Sequence, residues 1–221
     1  MFYNDSSKDF TILSTGKQAT TSMHQTLSRV YKAKVPLVDS SLELYHPKHE
    51  PSIPCYIINP ITYVEFRNNS TVPREHYIVI REPQERLVSG IVENIFTYYW
   101  DLDEPFSGDL DSIPDHLFEL DDYHVCPYLS HLTPVIDNSI FVNMPRLSEL
   151  ALKKLNCPLL LTHTNRRKSL RSPMGLVTGN DMCEYVNQRI LDKTIPLNTQ
   201  CHLMAETSVY NFIINSCNVM L

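Results

Sequence analysis

The sequence predicts an α/β protein, a single domain over residues 1–221 in three layers, with a mostly parallel central sheet between helices. Three observations carry this expectation. A β-prone apolar run leads through a turn into a helix-spaced stretch twice, once at Gly16 and once at Pro83. Strand-like and helix-like segments keep alternating along the chain. No self-similarity at a period of about 20–50 residues is visible, which removes solenoids and propellers.

The elements follow in order. Phe10 to Thr15 reads as a strand, and Met23, Leu27, Val30 and Tyr31 give Thr20 to Lys34 a helical spacing. Beyond a segment rich in Pro and His, Tyr56-Ile-Ile and Thr62 to Phe66 read as strands on their β-branched and aromatic content, and His76 to Ile80 is a clearer strand. Pro83 opens a helix to about Tyr99, because a first-turn residue needs no N–H. Residues 101–122 carry nine Asp or Glu and no Lys or Arg, which predicts an acidic surface excursion. It opens beside Tyr98, Tyr99 and Trp100, which suit either the core or a stacking contact with an acceptor. A helix within Asp115 to Leu132, a strand at Ser139 to Asn143 and a helix from Pro145 to Leu155 come next. A basic run at Asn165 to Arg171 precedes a loop holding Pro173, Gly175 and Gly179, and Asp181 to Leu191 and Glu206 to Cys217 read as helices.

Composition narrows the function classes. Hydrophobic residues make up 43% and charged ones 20% of 221 residues, enough for a sizeable core. No apolar run approaches the roughly 18–20 residues of a membrane span, so no membrane partner is expected. The net charge of −6 gives no support to nucleic-acid binding. Six cysteines show no C-x-x-C pair and no zinc-ligand spacing, so they are read as reduced thiols. The polar stretch Met1 to Asp9 leads into an apolar run too short for a signal peptide, which predicts a cytoplasmic protein.

Two segments carry chemistry. Ser14-Thr-Gly-Lys17-Gln-Ala-Thr-Thr-Ser22 is built like a phosphate cradle: helix N-terminal amides attract anions, small residues admit a phosphate, and Lys17 adds a full charge. The pattern G-x-x-x-x-G-K-[ST] is absent, since Gln18 follows Lys17. An ordinary strand-to-helix turn capped by Thr20 or Thr21 is the plain alternative. In Val79-Ile-Arg81-Glu-Pro-Gln-Glu-Arg86-Leu-Val-Ser89, Arg81 stands where a strand delivers its last residue to the crevice of an open sheet, and Ser89 follows two turns into the helix. An Arg fork and a hydroxyl so placed suit one phosphate. The plain alternative pairs Arg81 with Glu82 or Glu85.

Together these segments resemble the sulfotransferase superfamily, with the flavour of its carbohydrate branch. Lys17 to Ser22 looks like that family's 5′-phosphosulfate loop, with Ala19 where Gly is commoner, and Ile80 to Ser89 is similar to its 3′-phosphate motif. His124 to Pro127 resembles a His-x-x-Pro-Gln segment with Tyr128 in place of Gln, and His163 to Arg166 resembles the loop that closes over the nucleotide. The resemblance spans most of residues 10–170.

It implies a P-loop-like sulfotransferase fold and an enzyme that moves a sulfuryl group from 3′-phosphoadenosine 5′-phosphosulfate to an acceptor hydroxyl, for instance on a carbohydrate, by in-line displacement and without a metal. Lys17, Ala19, Thr20, Thr21 and Ser22 would hold the 5′-phosphate, Arg81 and Ser89 the 3′-phosphate, and Asn165, Arg166 and Arg167 would cover the nucleotide. Catalysis would fall to Lys17 with Glu65 or His124 as base; Asn59-Pro60 stands where some members carry a His, and His46 and His49 are further candidates. A P-loop-type nucleotide kinase and a catalytically silent nucleotide-binding module are the alternatives.

Overall fold

A computed structural model describes residues 2–4, 8–14, 17–30, 55–56, 60–69, 74–102, 106–119, 128–159, 169–172 and 175–220. In chain order the elements are β1 (Phe2–Asn4), β2 (Phe10–Leu13), α1 (Thr20–Val30), β3 (Cys55–Tyr56), α2 (Pro60–Asn69), β4 (Glu75–Ile80) and α3 (Pro83–Asp101). Then come β5 (Ile140–Asn143), α4 (Leu147–Leu155), β6 (Ser169–Ser172), β7 (Gly175–Thr178), α5 (Gly179–Leu191), α6 (Leu197–Ser216) and β8 (Val219–Met220). The chain divides into two compact units. The first comprises Met1–Arg81, Tyr128–Thr162 and Ser208–Leu221, and the second Glu82–Pro127 and His163–Thr207.

The first unit is built on a six-stranded sheet of order β3-β1-β2-β4-β5-β8. The pairs β2–β4, β4–β5 and β5–β8 are parallel, while β1 runs antiparallel to both β2 and β3. The register sets Ile12 beside Tyr77, Tyr77 beside Ile140 and Val79 beside Val142. Because side chains alternate across a strand, Phe10, Ile12, Tyr77, Val79 and Val142 share one face with Met23 and Leu27 of α1 and Leu147, Leu150 and Ala151 of α4. Leu13, Ile78, Ile80 and Phe141 share the other with Tyr63 of α2, Leu132, Val135 and Ile136 of a 3-10 segment, and Ile213 of α6. The unit is thus an α/β layered fold with a mostly parallel sheet.

The segment read as a strand at 62–66 is instead the middle of α2. Pro60 opens this helix, and Tyr63 and Phe66, one turn apart, meet Phe2 at ring-centroid distances of 5.4 and 4.9 Å. A β-branched and aromatic composition is overruled here by what the residues bury against.

The second unit centres on α3, whose Leu87, Val88, Ile91, Val92, Ile95 and Phe96 cluster with Leu170, Met182, Val186 and Ile195. Pro83 stands at the start of α3, and the Glu82 carboxylate caps it by accepting from the N–H of Glu85 at 2.7 Å. The acidic excursion is only half a surface feature: Asp109, Asp111 and Asp115 are exposed, yet Phe106, Ile113, Leu117 and Phe118 of the same stretch enter this core. The helix expected within 115–132 is described at its ends as short 3-10 turns, Asp115–Phe118 and Ser130–Asn138, the latter containing Pro134. The loop expected around Gly175 includes the hairpin β6–β7, in which Gly175 has a φ of 128° that other residues rarely adopt. Thr178 and Asp181 form a reciprocal capping box at the start of α5.

Candidate anion site at the end of the sheet

β2 and β4 are parallel neighbours, but their successors in the sheet lie on opposite sides: β3 beyond β1, and β5 beyond β4. Such a reversal marks the place where an open α/β sheet accepts ligands, outside the carboxyl ends of its strands. The two segments singled out in the sequence meet there. Arg81, the residue after β4, donates from Nη1 to the main-chain carbonyl of Lys17 in the β2–α1 turn at 3.1 Å.

The turn itself is unusual. Lys17 and Ala19 both have positive φ, 62° and 59°, in a region that costs an L residue about 1–2 kcal/mol. The residue between them, Gln18, is 0% exposed. Its carbonyl accepts from the hydroxyl of buried Ser14, its side-chain amide donates to the Tyr128 hydroxyl, and that hydroxyl donates to the carbonyl of Val79 in β4 at 3.2 Å.

Ala19 is also the first carbonyl of α1, accepting from the N–H of Met23 at 2.9 Å. The cap position therefore belongs to Ala19 rather than to Thr20 or Thr21. An alanine there supplies no side-chain acceptor for the first-turn amides and is among the poorest choices for the position. A strained helix start whose own cap residue offers no side-chain acceptor is the sort of place where an external anion compensates.

Of the residues predicted for the site, Lys17, Ala19, Thr20, Ser22 and Arg81 gather around this turn: Thr20 opens α1 half-buried, and Ser22 is buried with its carbonyl accepting from Thr26 at 2.7 Å. Thr21 lies in the first turn of α1. Ser89 lies half-buried on α3 in the second unit. Glu65 is exposed on α2, so its expected position on a strand at 62–66 is corrected to an exposed helical one. His46, His49, His124, Asn165, Arg166 and Arg167 lie outside the described residues. Sequence reasoning gave Gln18 and Tyr128 no positive role, because nothing in a linear sequence marks a Gln that folds inward from a turn.

At the opposite, amino-terminal end of the same strands lies a second polar group. Thr11 and His76, side by side on β2 and β4, are joined between Oγ1 and Nδ1 at 2.7 Å. Nearby, Arg67 donates to the Tyr63 hydroxyl at 3.3 Å, to Ser139 Oγ at 2.9 Å and to the Asn138 carbonyl at 3.0 Å. Burial, with Arg67 and Arg74 close by, holds His76 down at about 4, so it is neutral at pH 7.

The chain matches no protein-family model, no curated protein and no solved structure. No helix among the described residues is long and apolar enough to cross a membrane.

Proposed function

We propose that this protein is a sulfotransferase that uses 3′-phosphoadenosine 5′-phosphosulfate to sulfate an acceptor hydroxyl, with a carbohydrate as one such acceptor. The observation that carries the reading is the hydrogen bond between Arg81 and the Lys17 turn, which joins the two anion motifs, 64 residues apart, at the carboxyl ends of adjacent parallel strands.

The residues present suit a doubly phosphorylated nucleotide. The turn and the start of α1 would direct main-chain N–H groups and the Lys17 ammonium to a 5′-phosphate. Arg81, which meets the turn through Nη1, brings a planar fork of N–H donors suited to a 3′-phosphate. The donor supplies an activated sulfuryl group, whose transfer leaves negative charge on the departing phosphate. Lys17 would neutralise that charge, and loss of one such donor costs on the order of 10²- to 10³-fold in rate.

Calorimetry in magnesium-free buffer tests the reading. Saturable binding of adenosine 3′,5′-bisphosphate, weakened about a hundredfold by Lys17→Ala, is the expected result. Binding of Mg-ATP in preference would favour a kinase, and bisphosphate binding without turnover over a broad acceptor panel would favour a silent nucleotide-binding module.

A further inference from the structure

The Lys17 turn has a feature that an anion-binding loop does not require in general: its middle residue is held from inside the protein. Gln18 is fully buried and Tyr128 is 1% exposed. Their contact continues through the Tyr128 hydroxyl to the Val79 carbonyl, so a side chain from one strand-to-helix turn is tied to the main chain of the neighbouring strand β4. The carbonyls on either side of the Gln18 amide nitrogen and alpha carbon are also taken up, that of Lys17 by Arg81 and that of Gln18 by Ser14. In a trans peptide the N–H points opposite to the preceding carbonyl, and the described chain contains no cis bond. The N–H of Gln18 is therefore directed away from Arg81, and that of Ala19 away from Ser14.

We propose that Gln18 and Tyr128 are a positioning pair: their buried hydrogen bond holds Lys17 and Ala19 in left-handed conformations and so presets the turn's N–H groups and the Lys17 side chain for a phosphate. This rests on the proposed nucleotide-binding function but gives a role to Gln18, which the first motif contains without one, and to Tyr128, which lies outside both motifs. Neither side chain touches the ligand; each acts through the shape of the turn. The chemistry suits the task, since a turn with two strained residues relaxes unless something overdetermines it. A fully desolvated hydrogen bond between neutral partners does so without adding charge that would compete with the anion.

The test compares wild type, Gln18→Met, Tyr128→Phe and the double variant by calorimetry with adenosine 3′,5′-bisphosphate, alongside thermal unfolding of each. The expected result is a loss of about tenfold in affinity for each single variant and no further loss in the double, the signature of residues acting as one unit. Wild-type affinity in both single variants overturns the proposal, as does a hundredfold loss in the double, which would mean independent effects. Tyr128→Phe removes one oxygen and no carbon, so it carries the test alone if Gln18→Met fails to fold. If the wild type binds no bisphosphate, the proposed function fails. The pair is then judged by amide hydrogen exchange at Gln18 and Ala19: acceleration of about tenfold or more in Tyr128→Phe supports it, and unchanged exchange overturns it.

Discussion

The Arg81 guanidinium reaches the carbonyl of Lys17 at 3.1 Å, which makes the end of one strand a support for the turn that follows its neighbour. Charge-assisted hydrogen bonds of this kind contribute about 1.5–3 kcal/mol. Arg81 thus has two tasks under the proposed function, holding the turn and meeting a phosphate, and they separate by substitution. Arg81→Lys keeps the charge but loses the planar fork. We expect it to weaken adenosine 3′,5′-bisphosphate binding about tenfold, and Arg81→Ala about a hundredfold, by calorimetry. Equal affinities for wild type and Arg81→Ala would remove Arg81 from the site.

Ala19 offers a sharper test of the backbone. At a φ of 59° a glycine is at ease, whereas a β-branched residue is strongly disfavoured. Ala19→Gly trades relief of strain against greater freedom in the unfolded chain, so urea unfolding should show a change within about 0.5 kcal/mol or a gain. Ala19→Val should cost about 1–2 kcal/mol. A valine tolerated as well as glycine would mean that the turn does not hold its left-handed form.

How much of this was legible beforehand depends on the range of the physics. The strand-turn-helix units at β2–α1 and β4–α3 are local, with an apolar run, a turn and either a helical spacing or Pro83 lying within about 20 residues, and they stand where expected. The Lys17 and Arg81 motifs were visible for the same reason. The helix at Pro60–Asn69 was not, because Tyr63 and Phe66 are decided by Phe2, some 60 residues away. The strand at Phe2–Asn4 was hidden by a polar, short N-terminal sequence and exists through its pairings to β2 and β3. Within the acidic excursion, net charge concealed the apolar residues spaced between the carboxylates. In the candidate site, the part that sequence could not supply is the inward fold of Gln18 onto Tyr128, a contact across 110 positions.

His76 sets a pH dependence of stability. It is 8% exposed, with Thr11 on its Nδ1 and the cations of Arg67 and Arg74 nearby, and its value of about 4 lies below the 6.5 of a free imidazole. The unfolded chain therefore binds a proton between those values that the folded chain refuses. The stabilisation is complete above pH 6.5 and is lost as the pH falls towards 4. We expect urea unfolding of the wild type to lose about 2–3 kcal/mol more across that interval than His76→Gln does, at up to about 1.4 kcal/mol per pH unit. Parallel pH profiles for the two proteins would refute this.

Lys154 on α4 shows how a charged side chain serves the interior of the first unit. Its ammonium lies 5.3 Å from the centroid of the Phe10 ring and 5.5 Å from that of Tyr77, and it contacts the Glu75 carboxylate, itself bonded by the Tyr77 hydroxyl at 2.9 Å. The Lys154 side chain is only 15% exposed while that of Glu75 is 46% exposed. The rings should then matter more than the ion pair, because exposed pairs are screened by water. Lys154→Met keeps the aliphatic stem over the rings and removes the charge, for an expected loss of about 1 kcal/mol in denaturant unfolding. Glu75→Gln should cost less, about 0.5 kcal/mol or under. The reverse order would show that the carboxylate, rather than the two aromatic faces, holds Lys154 in place.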